Sequence, residues 1–388
     1  MKVLFVASLD PSGTSGHNIA TNEVISALFD YREQLDVSLI TALPSPEYMA
    51  SITGKVRETE FLPPKKPRSL FWHIRVQFSM MRAFRKLVTR ERPDIVITRL
   101  EKCVTLPLMT GAYGIPLYVL IRGHGGRDTK MLTGIPGLSV VWKLGAFLHC
   151  RAARRVYVAY REILDAVASY RKPEQPPPVI FPNAVNPRQF PHISREAARE
   201  SLGVSFSNED FVIGFAGSIK SRHCLDILLD VLEEDSTVKL LVAGDGPERQ
   251  RLQTRVENEG FSDRVHFAGF IPHAEIYRYM AAANALYGVV DPREVENPIK
   301  CYEYLAAGRP VITSDKEELR FIKDNRFGVV VDDVTRTTIA RAIADLKNAG
   351  EEKLLEMGAT GREYVLKHHT WDGLVNRILQ DYETDRQS

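Results

Sequence analysis

Twelve short runs of β-branched and apolar residues recur along this 388-residue chain, each separated from the next by a longer amphipathic stretch. In the first half they are Val3–Ala7, Val37–Ile40, Ile95–Thr98, Leu117–Ile121, Val156–Val158 and Val179–Phe181. In the second half they are Phe211–Phe215, Lys239–Ala243, Val265–Phe267, Ala285–Val290, Val311–Thr313 and Val329–Val331. A strand that is apolar throughout needs cover on both faces, and helices crossing between parallel strands supply it. The pattern therefore predicts an α/β chain with two Rossmann-like domains, each built on a parallel sheet of about six strands. The break falls near Lys172–Pro191, where KPEQPPP is a stiff, extended segment.

Composition narrows the function class. A 44% hydrophobic and 26% charged content excludes a disordered tail, a collagen-like fibre and a coiled coil. Four scattered cysteines without a C-x-x-C pair exclude a disulfide framework and a zinc site of standard spacing, and fit a reducing compartment. The most apolar stretch, Leu132–Leu148, is broken by Pro136, Lys143 and glycines, short of the roughly 18–20 residues a bilayer requires. MKVLFVASLD reads as a first strand rather than a signal peptide. A soluble, cytoplasmic protein is expected.

The net charge of +2 conceals an asymmetry. Residues 1–190 hold 26 basic and 15 acidic side chains; the remainder holds 25 and 34. The excess is densest at 61–90, with eight Lys/Arg, no acid and five aromatic side chains. From Leu70 to Val88 the residues Phe71, Ile74, Phe78, Met81 and Val88 fall at helical spacing, with Arg75, Arg82 and Lys86 on a neighbouring face. Such a basic amphipathic helix fits docking at the inner face of an anionic membrane, and equally a solvated outer helix of an α/β domain. No nucleic-acid motif accompanies it.

In open α/β sheets ligands bind beyond the carboxyl ends of the strands, so the loops there carry the chemistry. After the first strand, Gly13 and Gly16 precede a helix expected from Asn18. They permit close backbone approach to an anion, or a plain turn. After Phe211–Phe215, Gly217 opens GSIKSRHC, where Lys220, Arg222 and His223 are cationic or potentially cationic groups at a helix start expected near Cys224, an anion site or a solvated basic loop. After Lys239–Ala243, Gly244 and Gly246 flank Asp245, as a ligand-facing or an ordinary turn. In ENPIKCYEYLAAGRPVITSD, Pro298 suits the first helical position and Gly308 ends the helix. The N–H groups of Ile299 and Lys300 then point outward, and Glu303 lies one turn on, able to accept a pair of hydroxyl hydrogen bonds. In the basic half, RGHGGRD offers Arg122, His124 and Arg127, and Arg99 follows Ile95–Thr98.

These segments resemble the GT-B glycosyltransferases, specifically the retaining group known as glycosyltransferase family 4. FPNAVNPRQF, FAGSIKSRHCLDILLDVL, LLVAGDGPER, RVHFAGFIP and NPIKCYEYLAAGRPVITSD occur in that family's order, and HTWDGLVNRILQDY looks like its closing helix. The resemblance implies an N-terminal acceptor-binding domain at 1–185, a nucleotide-sugar-binding domain at 186–368 and a returning helix at 369–388, with the sheets facing across a cleft. It implies donor contacts from Gly16, Gly217, Ser218, Lys220, Arg222, His223, Gly244, Pro298, Ile299, Lys300 and Glu303, with Glu303 on the ribose. It places His124, Arg122 and Glu303 in catalytic roles, and Arg99 and Arg127 on the acceptor side. Departures are Val295 for the first glutamate of the paired motif, Ser218 for an arginine, His223 for a lysine, and Ala184 and Asn186.

Cleaving a sugar–diphosphate bond places charge on the leaving phosphate, which must be stabilised. The chain contains no Asp-x-Asp pair, whereas two of its loops supply Lys, Arg and helix N-termini. No cofactor and no metal are expected. The expectation is retaining, metal-independent transfer from a UDP- or GDP-sugar to a hydroxyl of a glycan or lipid-linked saccharide, in cell-surface polysaccharide or glycoconjugate synthesis. A nucleotide-sugar 2-epimerase-like isomerase and a silent GT-B partner subunit are the alternatives.

Overall fold

The computed structural model describes residues 1–13, 15–63, 70–100, 104–122, 138–204, 206–207, 209–294 and 298–387. The chain divides into two compact units: Met1–Pro182 with Trp371–Ser388, and Asn183–Thr370.

The first unit runs β1 (Lys2–Ala7), α1 (Gly16–Asp30), β2 (Asp36–Ala42), α2 (Pro46–Ile52), β3 (Thr59–Leu62), α3 (Leu70–Glu91), β4 (Ile95–Arg99), α4 (Thr105–Ala112), β5 (Leu117–Ile121), α5 (Leu138–Ala152), β6 (Arg155–Val158), α6 (Leu164–Tyr170) and β7 (Val179–Ile180). Its parallel sheet has the order β3-β2-β1-β4-β5-β6-β7. Six strands were expected; the seventh is β3. Its sequence, TEFL, is no apolar run, because an edge strand keeps its side chains partly in water and only Leu62 is buried.

Helix α3 corrects the expected apolar stripe. The face turned to the core carries Trp72, Val76, Met80, Phe84 and Leu87, while Phe71, Ile74 and Phe78 are exposed. The helix therefore has two apolar strips: of the expected stripe, Phe71, Ile74 and Phe78 lie on the outer one, whereas Val88 is buried. Lys86 is paired with Glu60 of β3, so it is not part of a free basic face.

The second unit runs α7 (Arg195–Leu202), β8 (Phe211–Ala216), α8 (Leu225–Leu232), β9 (Val238–Ala243), α9 (Arg249–Asn258), β10 (Val265–Gly269), α10 (Ile276–Ala281), β11 (Ala285–Tyr287), α11 (Ile299–Ala306), β12 (Val311–Ser314), α12 (Arg320–Asp324), β13 (Gly328–Val331), α13 (Arg336–Ala349) and α14 (Glu351–His368). Its parallel sheet has the order β10-β9-β8-β11-β12-β13. Alternate residues of β8 enter opposite cores. Phe211, Ile213 and Phe215 pack with α8 and α13, and Val212 and Ala216 pack with α11 and α14. The strand order reverses between β8 and β11, where a crevice opens at the carboxyl ends of an α/β sheet.

The chain closes with α15 (Trp371–Gln387), which belongs to the first unit. Its polar end is not simply solvated. Asp381 and Asp385 lie one turn apart and face the sheet. Tyr157 donates to Asp381 at 2.7 Å and Tyr118 to Asp385 at 2.9 Å, while Arg155 Nη2 donates to Asp385 at 2.7 Å. Burial alone would raise the pKa of Asp385, but hydrogen bonds from Arg155 and Tyr118 bring it below the ordinary value.

Candidate active site

The carboxyl ends of β8, β9 and β10 are stitched together by main-chain hydrogen bonds. Gly217 N–H donates to Ala243 O, Ile219 N–H to Asp245 O and Gly244 N–H to Gly269 O. Gly217 and Gly244 have φ of +138° and +145°, in the region that favours glycine. A Cβ on Gly244 would lie 1.9 Å from the Gly217 carbonyl oxygen. That glycine is thereby explained by loop-on-loop packing that shapes the Gly217 turn.

Helix α11 reaches this turn from the other side of the reversal. Tyr304 OH donates to Ala216 O at 3.0 Å and accepts from Ala216 N–H at 2.9 Å, fixing the helix to the end of β8. Pro298 is the cap residue rather than the first helical one, so Ile299 and Lys300 occupy the first turn. The Lys300 ammonium lies 4.4 Å from the centre of the Phe215 ring and 3.1 Å from His223 Nδ1. A Cβ on Gly217 would come within 3.9 Å of it. Gly217, His223 and Lys300 are thus brought to one point.

His223, only potentially cationic by its residue type, is neutral here. Burial pushes its pKa down to about 2, reinforced by the nearby charges of Lys300, Arg222 and Lys220. An ammonium group has only hydrogens to offer, so Nδ1 carries the lone pair and the neutral imidazole accepts from Lys300. The local backbone differs too. Ser221–His223 form a 3₁₀ turn and Cys224 adopts φ +52°, so α8 begins only at Leu225. Lys220 and Arg222 are half-buried, and Ser218 is exposed. The turn is held by Asp291 N–H donating to Arg222 O, linking it to the loop after β11.

Glu303 is buried, at 8% exposure, and its Oε1 lies 2.9 Å from His273 Nε2. His273 escaped the sequence reading because a lone histidine in FIPHAE carries no motif. The loop after β11 is braced by Ser314, which donates to Val290 O, and by Lys316, which donates to Glu294 O. Among the described residues, no cluster of three or more His, Cys, Asp or Glu suited to a metal ion is present.

In the first unit, Ser15 caps α1, which starts at Gly16 rather than Asn18. Arg99, expected to meet the acceptor, is buried. Its Nη1 donates to the His17 carbonyl and to Thr21 Oγ1, seating α1 against β4. Arg122, expected at the reacting sugar, has its Nη1 taken by Phe181 O at 2.6 Å and Pro182 O at 3.0 Å. Its guanidinium lies 5.2 Å from the centre of the Trp371 ring. It holds the end of the unit's first stretch to the start of the returning helix. His124, Arg127, Val295 and Glu296 lie outside the described residues, as do Lys65, Lys66 and Arg68.

A glycine turn, a buried lysine and a buried glutamate thus lie around the reversal of strand order. Residues 194–364 match the family described as glycosyl transferases group 1. That segment of the chain is similar to group 1 glycosyl transferases. The 2-deoxystreptamine glucosyltransferase of Streptomyces kanamyceticus is 30% identical over 137 residues, 34% of this chain and 35% of that protein. The GDP-mannose-dependent alpha-(1-6)-phosphatidylinositol monomannoside mannosyltransferase of Mycobacterium tuberculosis is 30% identical over 145 residues, 36% of this chain and 37% of that protein. The chain thus spans about a third of the length of these curated relatives. Among solved structures, the sucrose-phosphate synthase of Thermosynechococcus elongatus superposes with a TM-score of 0.74 at 19% identity, covering 99% of this chain and 98% of that one. Anabaena HepE in complex with UDP-glucose superposes at 0.72 with 15% identity, covering 100% of both. These likenesses show the fold, which is GT-B.

Proposed function

We propose that the chain transfers a sugar from a UDP- or GDP-sugar to a hydroxyl of a glycan or lipid-linked saccharide, with retention and without a divalent metal. The observation that carries this reading is the Lys300 ammonium held between His223, Phe215 and the Gly217 turn, one helical turn from Glu303. A diphosphate resting on the Gly217 turn meets that ammonium, the first-turn N–H groups of α11, and Lys220 and Arg222 nearby. Glu303 then accepts the ribose hydroxyls. As the bond from the sugar to the diphosphate lengthens, charge grows on the leaving phosphate, where positioned cations and amides lower the barrier most. The acceptor hydroxyl enters on the face that the diphosphate leaves, and His124, by its place in RGHGGRD, is the residue assigned to the reacting sugar.

Related proteins support the substrate classes. HepE was solved with UDP and with UDP-glucose, and the mycobacterial relative is named as a GDP-mannose-dependent enzyme acting on a phosphatidylinositol mannoside. A lipid-linked acceptor agrees with the surface of the first unit. There α3 exposes Phe71, Ile74 and Phe78 beside Arg75, Arg82 and Arg85, and α5 exposes Val140, Leu144 and Phe147 beside Lys143. Helix α4, packed against both, exposes Leu108. Apolar side chains set among arginines suit the inner, anionic face of a membrane, at about 1 kcal/mol per basic residue. No helix among the described residues is long and apolar enough to cross a bilayer.

The test is nucleotide release from UDP- and GDP-sugars in EDTA, with and without a glycolipid fraction as acceptor. Release stimulated by acceptor, with the anomeric configuration kept, supports the proposal. Conversion of the donor to an epimer, or binding without any turnover, contradicts it.

A further inference from the structure

The Glu303 carboxylate is prepared on one side only. Its Oε1 lies 2.9 Å from His273 Nε2, while its Oε2 accepts no hydrogen bond from the described residues. The ionised carboxylate only accepts, so His273 Nε2 carries the hydrogen and donates. The partner comes from a different strand. His273 stands in the loop after β10, in a turn closed by Glu275 N–H on Pro272 O and Ile276 N–H on His273 O. That loop is anchored at Gly269, whose φ is +78° and whose carbonyl accepts from Gly244. One loop and one helix therefore meet at one carboxylate, and a second loop anchors the first.

A glutamate left alone samples several rotamers and must be ordered each time a ligand binds. Pinning one oxygen removes that cost and aims the second oxygen in a fixed direction. The side chain of His273 is 26% exposed and that of Glu303 10%, so the histidine lies on the water side and the carboxylate toward the interior.

We infer that His273 is a positioning residue. It orients Glu303 so that the carboxylate reads ribose hydroxyls, making His273 and Glu303 together the element that separates ribonucleoside from 2′-deoxyribonucleoside diphosphates. This rests on the reading, given above, that Glu303 meets the nucleotide ribose. Losing one hydroxyl bond to an aligned carboxylate corresponds to about a 10–100-fold loss of affinity. If the carboxylate wanders, that difference shrinks.

The experiment titrates UDP, 2′-deoxy-UDP, GDP and 2′-deoxy-GDP into the full chain by calorimetry, for wild type, His273→Gln and His273→Phe. Thermal melting of each variant controls for folding. Wild type is expected to prefer the ribonucleotide by about tenfold or more. His273→Phe is expected to lose most of that preference, raising KM for the donor with kcat little changed. His273→Gln, whose amide N–H can replace Nε2–H, is expected to keep it. A folded His273→Phe protein that retains full discrimination overturns the inference while leaving the proposed function intact. A wild type that binds nucleoside diphosphates without discriminating does the same. A wild type that binds no nucleoside diphosphate removes the proposed function itself.

Discussion

A residue type does not fix its charge. His223 stands in a cluster of cationic or potentially cationic groups, and the fold buries it against Lys300 and Phe215 and leaves it neutral. Besides Lys220 and Arg222, positive charge reaches that turn from Lys300, on a helix 77 residues further on. Asp385 shows the opposite outcome, a carboxylate that stays ionised under cover because Arg155 and Tyr118 bond to it. Its pKa is lowered on folding, so its stabilisation is present above the unfolded value, about 3.9, and is lost as pH falls through the folded value. Asp385→Asn is expected to lower stability near neutral pH by about 1–2 kcal/mol, the scale for weakening a charged hydrogen bond in a partly buried pair. Denaturant unfolding at several pH values checks this. The gap to wild type should shrink below about pH 4, and a gap independent of pH would contradict the assignment.

At the scale of elements, α3 has apolar residues on two faces, and periodicity alone cannot say which of them the sheet covers. Trp72, Met80 and Phe84 took the core, leaving Phe71, Ile74 and Phe78 outside with Arg75 and Arg82. Replacing Phe71, Ile74 and Phe78 together by Ser is expected to release the protein from vesicles rich in anionic lipid with little change in melting temperature, since these side chains are exposed. Co-sedimentation of wild type and variant checks it, and wild type that never sediments assigns the strip to ordinary solvated surface. The central strands were legible because apolar runs such as Val3–Ala7 and Phe211–Phe215 have one physical use. β3 was not, because an edge strand needs no such run. The Gly217 turn and α11 were legible from glycine, proline and charge in close succession. His273 was not, because its meaning comes from contact with Glu303, thirty residues away in the chain.

For the whole molecule, the two parallel sheets follow from alternating strand and helix, the GT-B fold was implied by family resemblance, and the proposed site lies at a reversal of strand order in the second unit. The central claim is that the Lys300 ammonium and the turns around Gly217 and Ile299 hold a diphosphate without a divalent ion. Calorimetric titration of UDP and GDP into wild type and Lys300→Ala, each in EDTA and in millimolar magnesium, tests it most directly. The account predicts wild-type affinity unchanged by EDTA and affinity about 10–100-fold weaker in Lys300→Ala, the scale of a charged hydrogen bond. Binding that disappears in EDTA, or that survives intact in Lys300→Ala, would contradict it.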